Sequence, residues 1–197
     1  MAAERSVEIP RETAETHIRL RLVLDGSGVW DIDTGVPFLD HMLSHLAVHG
    51  LFDLELTCKG DTEVDDHHSV EDVGIVFGQA FARALGDKTG ITRYGSQMMP
   101  MDETLVLVAL DVSGRSLLVY DAQLPTARVG SFDTELVPEF LRAFARSARL
   151  TLHVKLIHGN NTHHVIEAIF KGLGRALRQA AALDPRRSGV ASTKGVL

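Results

Sequence analysis

One five-residue phrase occurs twice in this chain. "DDHHSVED", Asp65 to Asp72, and "NTHHVIEA", Asn161 to Ala168, both contain His-His-x-x-Glu, and the leading histidines, His67 and His163, lie 96 positions apart. Each phrase opens an apolar-periodic run. Self-similarity over half of a 197-residue chain points to an internal duplication, so the fold has to accommodate two copies of one unit.

The flanking patterns define that unit. "ETHIRLRLVLDGSGVWDID" alternates Ile18, Leu20, Leu22 and Leu24 against His17, Arg19 and Arg21, then turns at "DGSG", which predicts a β-hairpin with one buried face. "VPFLDHMLSHLAVHG" places Leu39, Met42, Leu43 and Leu46 at helical spacing, with Gly50 as the stop. "LFDLELTCKG" alternates as a strand, and Val70, Val73, Phe77, Phe81 and Leu85 mark a helix ended by Gly86. The order then recurs: a hairpin around "DVSGR", a helix through Leu136, Phe140, Leu141 and Phe144, a strand "RLTLHVKLIHG", and a helix "HHVIEAIFKGLGRALRQAA". In the first of these two helices Asp133 is the expected cap, and Pro138 falls in the first turn, where proline is tolerated. The expectation is an α+β fold of two pseudo-symmetric hairpin-helix-strand-helix (ββαβα) repeats, residues 1–92 and 93–197, with antiparallel sheets carrying helices on one face.

Composition narrows the function classes. With 45% apolar and 23% charged residues the chain can build a real core, and its net charge of −6 argues against a nucleic-acid binder that uses a broad basic face. Cys58 stands alone, so no intramolecular disulfide forms, which suits a reducing compartment. "MAAERSVEIPRE" has no apolar leader region and no apolar stretch reaches bilayer length, so a cytoplasmic protein without membrane association is expected.

Ten histidines are many for this length, and most fall in His41–His49, His67–His68 and His163–His164. In a helix His67 stands i,i+4 and His68 i,i+3 to Glu71, while adjacent histidines diverge by about 100°. Two neighbouring histidines at a helix entry can therefore serve two different metal centres. His163, His164 and Glu167 repeat the arrangement. Imidazole with carboxylate suits Zn, Mn, Fe or Ni, and a thiolate site is excluded. His41 and Glu139 occupy matching places in the preceding helices, which makes eight donors for two centres: His41, His67, His68, Glu71, Glu139, His163, His164 and Glu167.

His41, His45 and His49, at i, i+4 and i+8, form a stripe that reads as site lining; His17, His153 and His158 read as structural. Arg93, Arg115, Lys171, Ser192, Thr193 and Lys194 together could hold a phosphate, although each alone has the ordinary reading of solvated surface. Three other readings share parts of this pattern: a metal-storage protein, a dimetal carboxylate bundle, and a dimetal phosphoesterase. The "DGSG" and "DVSGR" turns oppose the bundle, and basic residues away from the donors oppose the other two.

Jointly, "GVPFLDHMLSHLAVHGLFDL", "DDHHSVEDVGIVFGQA", "GITRYG", "MDETL", "DVSGR", "NTHHVIEAIFKGLGRALRQA" and "STKGVL" resemble the imidazoleglycerol-phosphate dehydratase family over nearly the whole chain. The resemblance implies a hydro-lyase of histidine biosynthesis that converts imidazole-glycerol 3-phosphate to imidazole-acetol phosphate. It also implies two Mn²⁺ per site and a homo-oligomer of 24 subunits with sites where subunits meet. By motif it carries the metal role onto His41, His67, His68, Glu71, His163, His164 and Glu167; at the remaining ligand position, commonly His in the family, this chain has Glu139. Substrate contact passes to Glu15, His45, His49 and Lys171, and phosphate binding to Arg93, Arg115, Ser192 and Lys194. The expected route passes through a metal-bound imidazolate that expels hydroxide to give a diazafulvene, then an enol and the ketone. Glu15, His45, His49 and Glu167 are its candidate acids and bases.

Overall fold

The computed structural model describes residues 5–197; the first four residues of the N-terminal stretch "MAAERSVEIPRE" lie outside the described residues. The first sheet contains β1 (Ser6–Glu12), β2 (Thr16–Val23), β3 (Trp30–Asp33) and β4 (Asp53–Gly60), in the order β1-β2-β4-β3. α1 (Pro37–Gly50) lies between β3 and β4, and α2 (His67–Ala84) follows β4. The second half repeats the plan with β5 (Tyr94–Met101), β6 (Thr104–Asp111), β7 (Leu117–Asp121), α3 (Leu136–Ala148), β10 (Thr151–His158) and α4 (Thr162–Ala181), its sheet ordered β5-β6-β10-β7. A two-stranded ribbon, β8 (Arg128–Val129) with β9 (Phe132–Asp133), interrupts the second unit before α3.

The α+β class and the repeat are as the sequence indicates, but the hairpins lie one strand earlier. β1 pairs antiparallel with β2, and β5 with β6. The strands flanking "DGSG" and "DVSGR" are not neighbours: β4 inserts between β2 and β3, antiparallel to the first and parallel to the second, and β10 does the same between β6 and β7. Each sheet is therefore mixed. The cause is the helix that follows each turn, because strand–helix–strand is a crossover that returns a parallel neighbour. Asp53, at the start of β4, fixes the first of these turns by accepting the N–H groups of Ser27, Gly28 and Val29 at 2.8–3.0 Å.

Alternation sets the layers. Ile18, Leu20 and Leu22 of β2 and Leu54, Leu56 and Cys58 of β4 are buried, with His17, Arg19, Glu55 and Lys59 outward. The helices cover the inner faces and pair across the two halves, α1 with α4 and α2 with α3, so the sheets form the outer layers. Glycine allows this closeness. A Cβ on Gly78 of α2 would sit 2.6 Å from the Phe144 carbonyl of α3, and one on Gly174 of α4 would strike the Leu46 carbonyl of α1. Phe77 stacks on Phe144 beside the first contact, ring centres 5.1 Å apart.

Two expected helix signals act differently. Gly50 does not end α1 through a left-handed residue; Leu51 takes that conformation at φ 53°, and Gly50 is still helical, its missing side chain leaving room for the Phe52 ring and Gly174. Asp133 does not cap α3, since its carboxylate is held by Arg128 at 2.6 and 3.2 Å across the β8–β9 ribbon. Among the described residues no helix is long and apolar enough to cross a membrane.

Candidate metal centres and a basic cleft

The α1–α4 contact aligns two helical ladders. His41 and His45 stand one turn apart on α1, with their Nε2 atoms 3.3 Å from each other. Opposite them on α4, His163, Glu167 and Lys171 also follow i,i+4 spacing. Glu167 is at the centre: its carboxylate lies 3.1 Å from His163 Nε2, 3.4 Å from His45 Nε2, 3.9 Å from His41 Nε2 and 2.5 Å from Lys171 Nζ. Ligand atoms of His41, His45 and Glu167 all lie within 4.8 Å of one another. His49 continues the stripe, its ring 6.2 Å from that of His45.

Charge at this centre is organised by burial and by Lys171. Burial of Glu167 pushes its carboxyl upward, but the hydrogen bond from Lys171 and the neighbouring histidines outweigh that, so it is held below the usual carboxylate range. Burial lowers His45 to about 4, against the pull of Glu167 and with the push of His41, Lys171 and His49. His49 is lowered by burial, then by Lys171 and Arg175. Neutral imidazoles beside an ionised carboxylate are the donor set that a divalent cation of Mn or Zn type requires, so these residues fit such an ion. Cys58, buried and pushed up to about 11, takes no part.

The first His-His-x-x-Glu lies on the other helix pair. His67 Nε2 is 3.9 Å from Glu71 Oε2 at the start of α2. Glu139 of α3 shares a groove of about 340 Å³ with Glu71, although its own carboxylate is bonded to Arg142 Nη1 at 2.5 Å. The second histidine of each phrase has a different environment. His68 Nδ1 lies 3.0 Å from Asp61, and its Nε2 faces Glu15, in the β1–β2 turn, at 3.8 Å. His164 Nδ1 lies 2.8 Å from Glu103. The Asp61 and Glu103 hydrogen bonds raise both imidazoles, and His164 in turn holds the Glu103 carboxyl down at about 2. Among the described residues no hydrogen bond, ion pair or ring contact joins the α2–α3 cluster to the α1–α4 cluster.

Five of the six residues read as phosphate binders converge. A cleft of about 620 Å³ is lined by Arg93, Arg115, Ser192, Thr193 and Lys194, together with Arg187. Arg93, at φ 76°, gives Nε and Nη2 to Asp111 at 2.7 and 3.0 Å and Nη1 to the Ala191 carbonyl at 2.6 Å, which docks the tail. Arg115 stays 72% exposed, 3.7 Å from Asp111. Lys171 is not in this cleft; it is committed to Glu167. Sequence reasoning passed over Asp61, Glu103, Asp111 and Arg187. "MDETL" marked the stretch around Glu103, but no periodicity singles out Asp61 in its acid-rich loop.

Comparison with known proteins gives the same direction. The family model described as "Imidazoleglycerol-phosphate dehydratase" matches residues 34–177. Proteins of that name from Moorella thermoacetica and Acetivibrio thermocellus are each 58% identical, over 193 and 194 residues, covering 98% of this chain and 98% and 100% of theirs. The crystal structure of the Staphylococcus aureus enzyme of that name superposes with a TM-score of 0.83 at 44% identity, covering 91% of this chain and 99% of that one. The Pyrococcus furiosus structure, solved in complex with (S)-C348, gives 0.84 at 38% identity, covering 96% and 100%.

Proposed function

The chain belongs to the imidazoleglycerol-phosphate dehydratase family, and from that premise we propose how its residues divide the work. It is a hydro-lyase that dehydrates imidazoleglycerol phosphate in histidine biosynthesis. The observation that carries the division of labour is the separation of a His/Glu donor group on α1 and α4 from a basic cleft at the chain's C-terminal tail.

Two Mn²⁺ ions per site are proposed, held by His41, His67, His68, Glu71, His163, His164 and Glu167, with Glu139 in the eighth place. Bound divalent cations would favour the anionic form of the substrate ring, which supplies the electrons that expel the hydroxyl group. Glu139 offers a carboxylate oxygen once Arg142 turns away. Lys171 keeps Glu167 ionised and oriented. Glu15, His45, His49 and Glu167 are the groups available for proton transfer, and burial favours the neutral ring of His45. Arg93, Arg115, Ser192, Thr193 and Lys194 would bind the phosphate and hold the reacting carbons in place.

One substrate has to occupy donors and cleft together. The two donor clusters lie on different helix pairs, and the cleft shares no lining residue with the α1–α4 centre. This favours sites completed by neighbouring copies. We propose the 24-subunit homo-oligomer, with the half-repeats 1–92 and 93–197 each contributing one His-His-x-x-Glu, working in the cytoplasm. Purified protein loaded with Mn²⁺ should form imidazole-acetol phosphate, with bound metal measured in the same sample. Bound Mn²⁺ without ketone would refute the assignment.

A further inference from the structure

We propose that Asp61 and Glu103 are positioning residues that fix the tautomer and ring orientation of His68 and His164, leaving Nε2 of each as the metal-facing nitrogen. The inference rests on the metal reading above. A carboxylate only accepts hydrogen bonds, so a neutral imidazole facing one through Nδ1 carries its proton there and keeps its lone pair on Nε2. The distances are 3.0 and 3.1 Å from His68 Nδ1 to the two Asp61 oxygens, and 2.8 Å from His164 Nδ1 to Glu103 Oε2. The Nε2 atoms, by contrast, have no hydrogen-bond partner among the described residues: Glu15 is 3.8 Å from His68 Nε2, and Asp102 is 3.9 Å from His164 Nε2.

Duplication alone does not explain this pairing. Glu103 precedes Thr104, which opens β6; the residue in that place in the first half is Glu15, before Thr16 of β2, and it lies on the Nε2 side of His68. Asp61 follows β4, and the residue that follows β10 is Gly159. The two halves thus reach the same Nδ1–carboxylate contact from unrelated positions, as expected if the contact itself is what the site needs. The first histidines lack it: His67 and His163 have their Nε2 atoms turned toward Glu71 and Glu167.

Asp61 gives the cleaner test. Its side chain has no partner but His68 among the described residues, and its backbone is held separately by Glu15 and Val64. Glu103 also accepts from Thr104 and the N–H groups of Asn160 and Asn161, so its variants need a parallel unfolding measurement. Equilibrium dialysis with Mn²⁺ on Asp61→Asn should show affinity weakened by roughly 10- to 100-fold, as for other outer-shell partners of ligating histidines. Nitrogen-15 shifts of the labelled His68 ring in the metal-free protein should lose the single Nδ1–H form, and Asp61→Glu should recover part of both. Glu103→Gln should weaken Mn²⁺ in the same sense. An Asp61→Asn protein that binds Mn²⁺ like its parent overturns the inference, and His68→Ala says why. If His68→Ala still weakens binding, only the positioning role has failed; if it does not, the ligand assignment falls too.

Discussion

The basic cleft allows two arginines to be told apart by measurement. Arg93 is 11% exposed, with three of its donors committed to Asp111 and the Ala191 carbonyl; Arg115 is 72% exposed and 3.7 Å from the same aspartate. Removing Arg115 therefore leaves little behind in the folded protein, and Arg115→Ala should change stability by no more than about 0.5 kcal/mol. Its loss should be felt by the substrate. One charge-assisted hydrogen bond to phosphate is worth about 1.5–3 kcal/mol, which is a fall of roughly 10- to 150-fold in kcat/KM. Arg93→Ala should do more. It removes both side-chain hydrogen bonds to a mostly buried Asp111, leaving only the exposed Arg115 at 3.7 Å, and releases the tail that carries Ser192 and Lys194, so a destabilisation of about 2–3 kcal/mol is expected besides the catalytic loss. For a chain of this length that is a fall in Tm of roughly 4–12 °C. Steady-state kinetics and thermal unfolding at fixed protein and metal concentration give both quantities. Equal Tm losses for the two variants, or an unchanged kcat/KM for Arg115→Ala, would refute the argument.

Other perturbations follow from the same geometry. Lys194→Ala should lower kcat/KM while bound Mn²⁺, measured by metal analysis, stays at the parent level; metal loss would break the proposed division of labour. Glu167→Gln should lose both Mn²⁺ affinity and activity, because the change removes the carboxylate shared by three histidines and leaves Lys171 without its partner. Gly78→Ala should destabilise the protein by about 1–3 kcal/mol in thermal unfolding, since the added methyl meets the Phe144 carbonyl of α3. His68 and His164 are raised above the ordinary imidazole value by Asp61 and Glu103. In the metal-free protein that contribution to stability is complete below the unfolded-state value and is lost as pH rises through the folded one. Metal binding has the opposite sign because protons must leave, so Mn²⁺ titrations at about pH 6 and about pH 8 should show tighter binding at the higher pH. A mixed assembly of Glu167→Gln and Arg115→Ala subunits should recover activity if neighbouring copies complete the sites, and should not if each chain works alone.

Much of the fold could be read directly. Leu20, Leu22, Leu54 and Leu56 alternate inward, and Phe77, Phe81, Phe140 and Phe144 face the helical interior, because a period of two or of 3.6 is a property of neighbouring residues. Strand partners could not be read. The alternation in β2 and β3 says which face is buried and nothing about which edge is bonded, so the inserted β4 was invisible. Gly50 shows the same limit: as a letter it signals a helix end, but its actual role depends on Phe52 and on α4 from the other half of the chain.

The sequence by itself determined the duplication, the α+β character, the doubled His-His-x-x-Glu phrase and, through its motifs, the family, since these depend on residue types at fixed spacings along one chain. Only the tertiary structure decided that Glu167 gathers His41, His45, His163 and Lys171, that the tail closes a cleft over Arg93, and that Asp61 and Glu103 stand behind the second histidines. Several of those contacts, His41 and His45 with Glu167, Arg93 with Ala191 and Glu103 with His164, join segments tens of residues apart. Their geometry is set by how closely α1 and α4 can approach and by where the loops after the strands come to rest, and neither is encoded in local periodicity.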